Sequence, residues 1–178
     1  MEKPLTVNHK EIVYQDRNQF IQRVIAEFSG FNKEYFVSDH GQRAAILVVD
    51  SQDNVLLTRQ YRLIINDISY EIPGGRVEHD ETPEQTAVRE CLEETGVFCR
   101  TTIPLLRFNP CLDIWKNYTH IFLSTDFEGP RNANAAQTVW LPLGKCLEMI
   151  KNGHMSDSLS IIAIFTYALD HIQQSGCP

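Results

Sequence analysis

The chain has 178 residues, 43% of them hydrophobic and 22% charged, and this length and composition are typical of a single globular domain. A chain of this length buries roughly 70% of its unfolded surface on folding, so it needs no disulfide framework or structural metal. Sixteen Lys and Arg against twenty-three Asp and Glu give a formal charge of -7, which disfavours a surface for nucleic acid or an anionic membrane.

The N-terminal part of the chain predicts an antiparallel β meander. Segments rich in β-branched and aromatic residues lie around 11–14, 19–28 and 34–38, and they are separated by 16–18 and by Gly30. No linker of low complexity follows them. We therefore expect residues 1–40 to form a β subdomain and residues 41–178 to form the main domain.

The middle of the chain predicts two strands, a glycine-containing loop and a helix. Residues 44–50 form an apolar run, a turn follows, and 55–61 resumes as a second strand, after which 68–72 leads into Pro73-Gly74-Gly75. Thr82 is a suitable helix N-cap, Pro83 suits the first helical position and Gly96 suits the end.

The C-terminal part predicts three more strands, around 101–108, 118–126 and 138–141, followed by helices over 143–151 and 156–171. The five cysteines form no CxxC pair, which argues against a disulfide framework and a zinc ribbon. No apolar run has the length of a signal peptide, so we expect a cytoplasmic protein.

Three acidic side chains converge on the predicted helix. Glu90, Glu93 and Glu94 stand at i, i+3 and i+4, so their like charges share one face and destabilise it unless a cation offsets them. Arg89 can neutralise one of them, and a divalent cation can hold the others. Oxygen ligands without Cys or His suit Mg²⁺ or Mn²⁺ rather than zinc. The alternative is a solvated acidic face.

A fixed spacing links the glycine loop to this helix. Gly75, five residues, Glu81, seven residues and then the run from Arg89 to Val97, RECLEETGV, resembles the complete Nudix box. The resemblance implies an α/β/α sandwich with a mixed sheet that hydrolyses a nucleoside diphosphate linked to another group X. Cys91 stands where the family usually has a larger aliphatic residue, and we interpret it as a structural hydrophobe.

The resemblance also implies roles for the residues of the box. Glu90 and Glu94 would be the main ligands of Mg²⁺ or Mn²⁺, Glu93 a further or bridging ligand, and the carbonyl group of Gly74 another. Arg89 would orient the glutamates as part of the catalytic set, and Glu81 would support the helix.

Two segments before the box resemble one subgroup of the family. Residues 59–62, RQYR, and 71–75, EIPGG, are similar to those of pyrophosphatases for ADP-ribose and related nucleotide sugars. The likeness implies a small-molecule nucleotide substrate and a homodimer formed through the meander. Arg59 or Arg62 would bind phosphate oxygens and Glu71 ribose hydroxyl groups, although surface salt bridges are the alternative for all three.

One segment departs from that subgroup. Pyrophosphatases of this kind often carry an acidic loop before the last strand, whereas residues 131–137 contain no acid. Glu128 and Asp113 are the nearest replacements, and we expect the catalytic base to be Glu93 or Glu128. A second hypothesis is a catalytically silent domain that binds a nucleotide sugar as a sensor. A third, hydrolysis of capped RNA, is disfavoured by the charge of -7.

Overall fold

The computed structural model of the protein describes residues 2–17, 19–130 and 137–174. Its strands and helices follow one another in an order rich in strands and end in two helices. In chain order they are β1 (Thr6–Gln15), β2 (Phe20–Phe28), β3 (Phe31–Val48), β4 (Asn54–Arg62), β5 (Asp67–Glu71), β6 (Gly74–Arg76), α1 (Pro83–Thr95), β7 (Phe98–Cys99), β8 (Ile103–Phe108), β9 (Trp115–Ser124), β10 (Phe127–Glu128), β11 (Thr138–Pro142), α2 (Leu143–Lys151) and α3 (Ser158–Gln174).

The chain divides into two compact units, the first made of the residues up to Gln42 together with Phe108–Thr119. In this unit β1 pairs with β2 and β2 with the first part of β3, both antiparallel, with Phe20 opposite Asp39 and Phe28 opposite Phe31. Gly30 turns the second hairpin with a φ of 97°, which favours glycine. The predicted antiparallel meander is confirmed.

The second unit contains Arg43–Arg107 and the residues from His120 onward. Here β4 pairs with β11 on one side and β5 on the other, β6 pairs with the end of β3, and β7 pairs with β10. Helix α1 contacts β6 and β7, whereas α2 and α3 contact each other and the sheet of β11, β4 and β5. Among the described residues, no helix is both long and apolar enough to cross a bilayer.

The core of the second unit is built on the end of β3. Six consecutive residues, 44–49, are fully buried. Since successive side chains of a strand point to opposite faces, burial of all six means that both faces of the strand are covered. Ala44, Ile46 and Val48 share one cluster with Ala87 and Cys91 of α1. This contact fixes the face of α1 that points away from the core.

Some predicted boundaries were wrong. The segments predicted separately around 34–38 and 44–50 fall on one long strand, β3, which runs from Phe31 to Val48 and includes Gly41 with a φ of 70°. Three short strands were missed, since two or three residues carry no periodicity: β7, β10 and β6, which includes Gly74 and Gly75 of the predicted loop. The last helix begins at Ser158, with Asp157 as its cap.

Candidate functional site

Local sequence fixes both ends of α1, as predicted. The hydroxyl of Thr82 accepts a hydrogen bond from the Gln85 amide at 3.2 Å, and the Gln85 side chain accepts one from the Thr82 amide at 2.8 Å. This reciprocal pair is a capping box. Gly96 ends the helix with a φ of 72°, and its N–H donates to the carbonyl of Leu92 at 2.9 Å.

Helical periodicity predicts that Val88, Cys91, Leu92 and Thr95 form the buried face of α1, and the observed face differs slightly from this. Cys91 and Thr95 are buried as expected, but Leu92 is 46% exposed, and Thr86 and Ala87 are buried instead. The apolar stripe is thus rotated toward the small residues, because these allow α1 to lie close to β3. The carboxylates of the box lie on the side away from this stripe.

Arg89 is the centre of the carboxylate network. Its Nε and Nη2 donate to the two carboxylate oxygens of Glu81 at 2.6 and 2.9 Å. Its Nη1 donates to Oε1 of Glu90 and to Oε2 of Glu93, each at 3.0 Å. The Arg89 guanidinium and the Thr86 hydroxyl together lower the pKa of Glu81 to about 2. One guanidinium therefore holds three carboxylates, including the fork-like pairing with Glu81.

Glu94 is held differently from its neighbours. It accepts hydrogen bonds from Nε2 of Gln60 at 2.9 Å and from the backbone N–H of Gly74 at 3.2 Å. Burial raises the pKa of Glu94 despite these bonds, and the negative charges of Glu90 and Glu71 raise it further. No Lys or Arg of the described ranges forms an ion pair with it. This carboxylate is thus a partly buried charge that a cation would stabilise.

Two glycines allow the segment before the box to pack closely against its neighbours, Gly75 against Glu90 and Gly74 against β3. A Cβ on Gly75 would lie 2.1 Å from Oε1 of Glu90, and one on Gly74 would lie 2.6 Å from the backbone oxygen of Ala44. Neither position has room for a side chain. The backbone at Gly75 therefore lies directly beside the Glu90 carboxylate.

The donor set fits a hard divalent cation, although the described residues contain no preformed cage of three or more His, Cys, Asp or Glu. Arg89 holds Glu90 and Glu93, while Gln60 and Gly74 hold Glu94. Three carboxylates on one face outnumber the single guanidinium, which also serves Glu81. The excess of negative charge and the oxygen-only ligands suit Mg²⁺ or Mn²⁺.

A cavity of about 400 Å³ opens beside Glu93 and Glu94, and its other lining residues are Thr58, Arg59, Gln60 and Gln137. Nε of Arg59 is buried and has no hydrogen-bond partner within the part of the chain that the structure describes. The guanidinium lies 5.8 Å from the centre of the Tyr70 ring. A buried donor without a partner destabilises the protein. An anion bound in this cavity could accept a hydrogen bond from the Arg59 guanidinium.

Arg62 and Glu71 bind each other instead. Nε and Nη2 of Arg62 donate to the two oxygens of Glu71 at 2.7 and 2.5 Å. Burial opposes ionisation of Glu71, which is 9% exposed. The hydrogen bonds from Arg62 and Ser69 outweigh burial and lower its pKa. Of the three predicted substrate-binding residues, only Arg59 lines the cavity.

The predicted bases lie in different surroundings. Glu93 lines the cavity. Glu128 pairs with Nη2 of Arg100 at 2.6 Å and is not among the described residues that line it. Asp113 belongs to the first unit, where it lines a separate cavity with Trp115 and Tyr118. Most of the loop without acids, residues 131–136, lies outside the described residues.

Sequence reasoning missed the contribution of Gln60. It lies within the RQYR segment, but only the pairing of Arg59 with Tyr70 and of Gln60 with Ser69 between β4 and β5 fixes which side chains of β4 share a face. The amide of Gln60 thereby reaches Glu94 from a position 34 residues earlier. Its position between Arg59 and Arg62 was the sequence signal that could have marked Gln60 as a site residue.

Comparisons with known proteins identify the family to which the chain is similar. A family model described as the NUDIX domain matches residues 39–158. A CMP-5'-(N-acetyl-N-hydroxy-3-aminopropyl)phosphonate hydrolase from Streptomyces rubellomurinus is 33% identical over 137 residues, which cover 74% of this chain and 66% of that protein. An ADP-ribose pyrophosphatase from Bacillus subtilis is 30% identical over 87 residues, 49% of this chain and 47% of that protein. The chain thus spans about half to two thirds of these relatives.

A crystal structure of an ADP compounds hydrolase has the same fold. Its TM-score is 0.77 at 20% identity, and the alignment covers 99% of this chain and 97% of that one. The predicted α/β fold of Nudix type is therefore confirmed. Since the family model covers well over half of the 178 residues and includes the complete box, the chain belongs to the Nudix family of hydrolases.

Proposed function

We propose that the protein hydrolyses the pyrophosphate bond of a nucleoside diphosphate linked to a sugar, such as ADP-ribose, with the help of Mg²⁺ or Mn²⁺. The observation that carries the proposal is the cavity shared by Glu93, Glu94 and Arg59. It combines carboxylates suited to a cation with a guanidinium suited to an anion. A pyrophosphate bound through divalent cations needs both.

Different residues of the chain would bind the metal and the phosphate. Glu90, Glu93, Glu94 and the carbonyl group of Gly74 would hold the metal, and Arg89 keeps Glu90 and Glu93 oriented. A bound divalent cation neutralises pyrophosphate charge and lowers the pKa of water. Arg59 would bind a phosphate oxygen. Water attacks one phosphorus, the bridging P–O bond breaks, and a nucleoside monophosphate and a sugar phosphate leave.

A carboxylate must take the proton of the attacking water. We propose Glu93 for this step, because it lines the cavity and its side chain remains more than half exposed. Glu128 is the second candidate. The charged groups of Arg62 and Glu71 already bind each other. We therefore propose that this pair holds β4 against β5 and does not bind the substrate directly.

The relatives support a nucleotide joined to a second group as the substrate. They include an ADP-ribose pyrophosphatase from Bacillus subtilis and a hydrolase of a CMP-linked phosphonate from Streptomyces rubellomurinus. Both names describe a nucleotide with an attached moiety. We propose the nucleotide-sugar class for this chain on that common feature.

A substrate panel tests the proposal. The purified protein is incubated with ADP-ribose, other nucleotide sugars, dinucleotides and nucleoside triphosphates plus Mg²⁺, and released monophosphates are measured by chromatography. We expect metal-dependent cleavage of a nucleotide sugar. Glu94→Gln should lose more than about 100-fold in rate, since even residues outside the metal ligands contribute 10- to 100-fold.

A matched variant distinguishes loss of a metal ligand from the general effect of removing one negative charge from α1. Glu84→Gln makes the same change in the first turn of α1, away from the carboxylate network, and should retain the rate. Tight nucleotide binding without any hydrolysis would favour the alternative, a silent sensor domain. Full activity of Glu94→Gln would contradict the proposed metal site.

We further propose a cytoplasmic homodimer. Free thiols at Cys91, Cys99, Cys111 and Cys146 are compatible with a reducing compartment. Strand β1 forms one edge of its sheet and carries the exposed apolar residues Val7, Ile12 and Val13. A sheet edge of this kind is usually covered or charged, and a second copy of the chain would cover it.

A further inference from the structure

A serine on α3 is hydrogen-bonded to the loop that precedes the box. The Ser160 hydroxyl is fully buried and accepts a hydrogen bond from the Ile72 backbone N–H at 2.9 Å, across 88 positions of sequence. The same hydroxyl donates to Oδ2 of Asp157 at 2.6 Å. A hydroxyl has one proton, and a backbone N–H can only donate, so the two bonds fix the orientation of the Ser160 hydroxyl.

Asp157 is itself fixed by the start of α3. Its side chain accepts from the backbone N–H of Ser160 at 2.9 Å, and its carbonyl accepts from Ile161 at 3.0 Å. This is the geometry of a helix N-cap. The acceptor that Ser160 offers to Ile72 is therefore anchored in the first turn of a 17-residue helix.

The segment from Ile72 to Gly74 connects this anchored hydroxyl to Glu94. Between Ile72 and Gly74 stands Pro73, which has no N–H and whose carbonyl accepts from Ile46 at 3.0 Å. The three-residue segment thus has two backbone donors. The first, on Ile72, is bound to Ser160, and the second, on Gly74, donates to Oε2 of Glu94 at 3.2 Å.

We infer that Ser160 is a positioning residue for Glu94, acting through the backbone of Ile72, Pro73 and Gly74. Ser160 itself touches neither Glu94 nor the cavity. Its hydroxyl sets where the Gly74 amide lies, and that amide sets the direction of the Glu94 carboxylate. The consequence for metal binding and turnover rests on the proposed function, whereas the effect on the Gly74 amide does not.

Ser160→Ala tests this relay, with Thr166→Ala as the matched control. Thr166 lies on the same helix, and its hydroxyl donates to the Ile162 carbonyl at 2.8 Å without reaching the loop. We measure amide hydrogen exchange at Gly74 by NMR, Mn²⁺ affinity by EPR of free Mn²⁺, and kcat and KM.

For Ser160→Ala we expect Gly74 exchange to accelerate about 10-fold and Mn²⁺ binding to weaken about 10- to 100-fold, the range typical of residues that orient metal ligands. The value of kcat should fall while KM changes less than about twofold, because the substrate contacts remain in place. Thr166→Ala should leave all of these near wild type. Ser160→Thr keeps the hydroxyl and should restore Mn²⁺ affinity.

The outcomes are distinguishable. A lower melting temperature with unchanged Gly74 exchange would mean that Ser160 only satisfies a buried donor, and would overturn the inference. Faster exchange and weaker Mn²⁺ binding in a protein that cleaves no nucleotide would support the inference and overturn the proposed function. If Ser160→Ala does not fold, Asp157→Ala removes the acceptor that orients the hydroxyl and is measured in the same way.

Discussion

The carboxylate of Glu90 lies directly against the backbone of Gly75. A Cβ at position 75 would come within 2.1 Å of Oε1 and 2.3 Å of Cδ of Glu90, distances that real Cβ atoms essentially never show. The glycine is therefore required by the close approach and not by an unusual φ, since Gly75 is absent from the positive-φ residues. The first fixed position of the box therefore makes room for one of its glutamates.

Gly75→Ala should displace Glu90 and impair metal binding. We expect the rate at low Mg²⁺ to fall by about 10- to 100-fold, comparable to the loss of a residue that orients a metal ligand. Gly144→Ala is the control, because its Cβ meets no atom within 4 Å. Steady-state rates over a Mg²⁺ titration measure both variants. If Gly75→Ala has the same rate as the unaltered protein at every Mg²⁺ concentration, Glu90 is not a metal ligand.

Arg59 and Arg62 should behave differently when each is changed to Ala. Arg59→Ala should raise KM or lower kcat/KM with little loss of stability, because Nε of Arg59 has no hydrogen-bond partner among the described residues. Arg62→Ala strands the buried carboxylate of Glu71 and should lower the free energy of unfolding by about 1–3 kcal/mol.

Steady-state kinetics and urea unfolding separate the two arginines. Arg59→Lys is a useful second variant, because it keeps the charge and loses the planar fork. A kinetic defect confined to Arg62→Ala would reverse the assignment of the phosphate-binding residue.

The site was predictable where the information is local or repeated at fixed spacing. Thr82, Pro83 and Gly96 define α1 through caps that depend only on neighbouring residues. The spacing of Glu90 and Glu94 places them on one face by helix geometry alone. The partners of these residues were less predictable. Gln60, at 34 residues from Glu94, is brought to it by tertiary structure.

The same reasoning explains what the sequence left undecided and what it missed. The sequence could not decide between Arg59 and Arg62, since either can pair with a carboxylate, and the answer depends on the register of β4 with β5. In that register Thr58 lies opposite Glu71. The exposure of Leu92 was also missed, because the tilt of a helix on its sheet depends on side chains from several distant strands.

The Glu81 carboxyl should titrate far below its usual range. Hydrogen bonds from Arg89 and Thr86 lower its pKa to about 2. A depressed pKa in the folded state favours the ionised form, so the contribution to stability is present above the usual value of 4.5 and is lost as pH falls toward 2. Carboxyl ¹³C NMR measures the midpoint. Arg89→Lys should raise it, and an unchanged midpoint in that variant would contradict the assigned cause.

Removal of the Glu128 carboxylate should have a limited effect. Glu128 pairs with Arg100 and is not among the described residues that line the cavity, so Glu128→Gln should lower kcat by much less than the roughly 10²- to 10⁴-fold span of a general base. Glu93→Gln should fall within that span. The pH dependence of kcat for both variants identifies the base. If the pH profile of kcat loses its acidic limb in Glu128→Gln, Glu128 is the catalytic base.

We propose that the edge strand β1 forms the interface of a homodimer. Its apolar side chains are exposed in one copy of the chain, and burying them against a second copy would stabilise a meander that has little core of its own. We expect a dimeric mass by light scattering at micromolar concentration. Ile12→Lys should shift that mass toward the monomer, because a charge at a buried interface is unfavourable. Leu169→Lys changes an equally exposed apolar residue on α3 and should leave the dimer intact. A monomeric mass for the unaltered protein would refute the dimer.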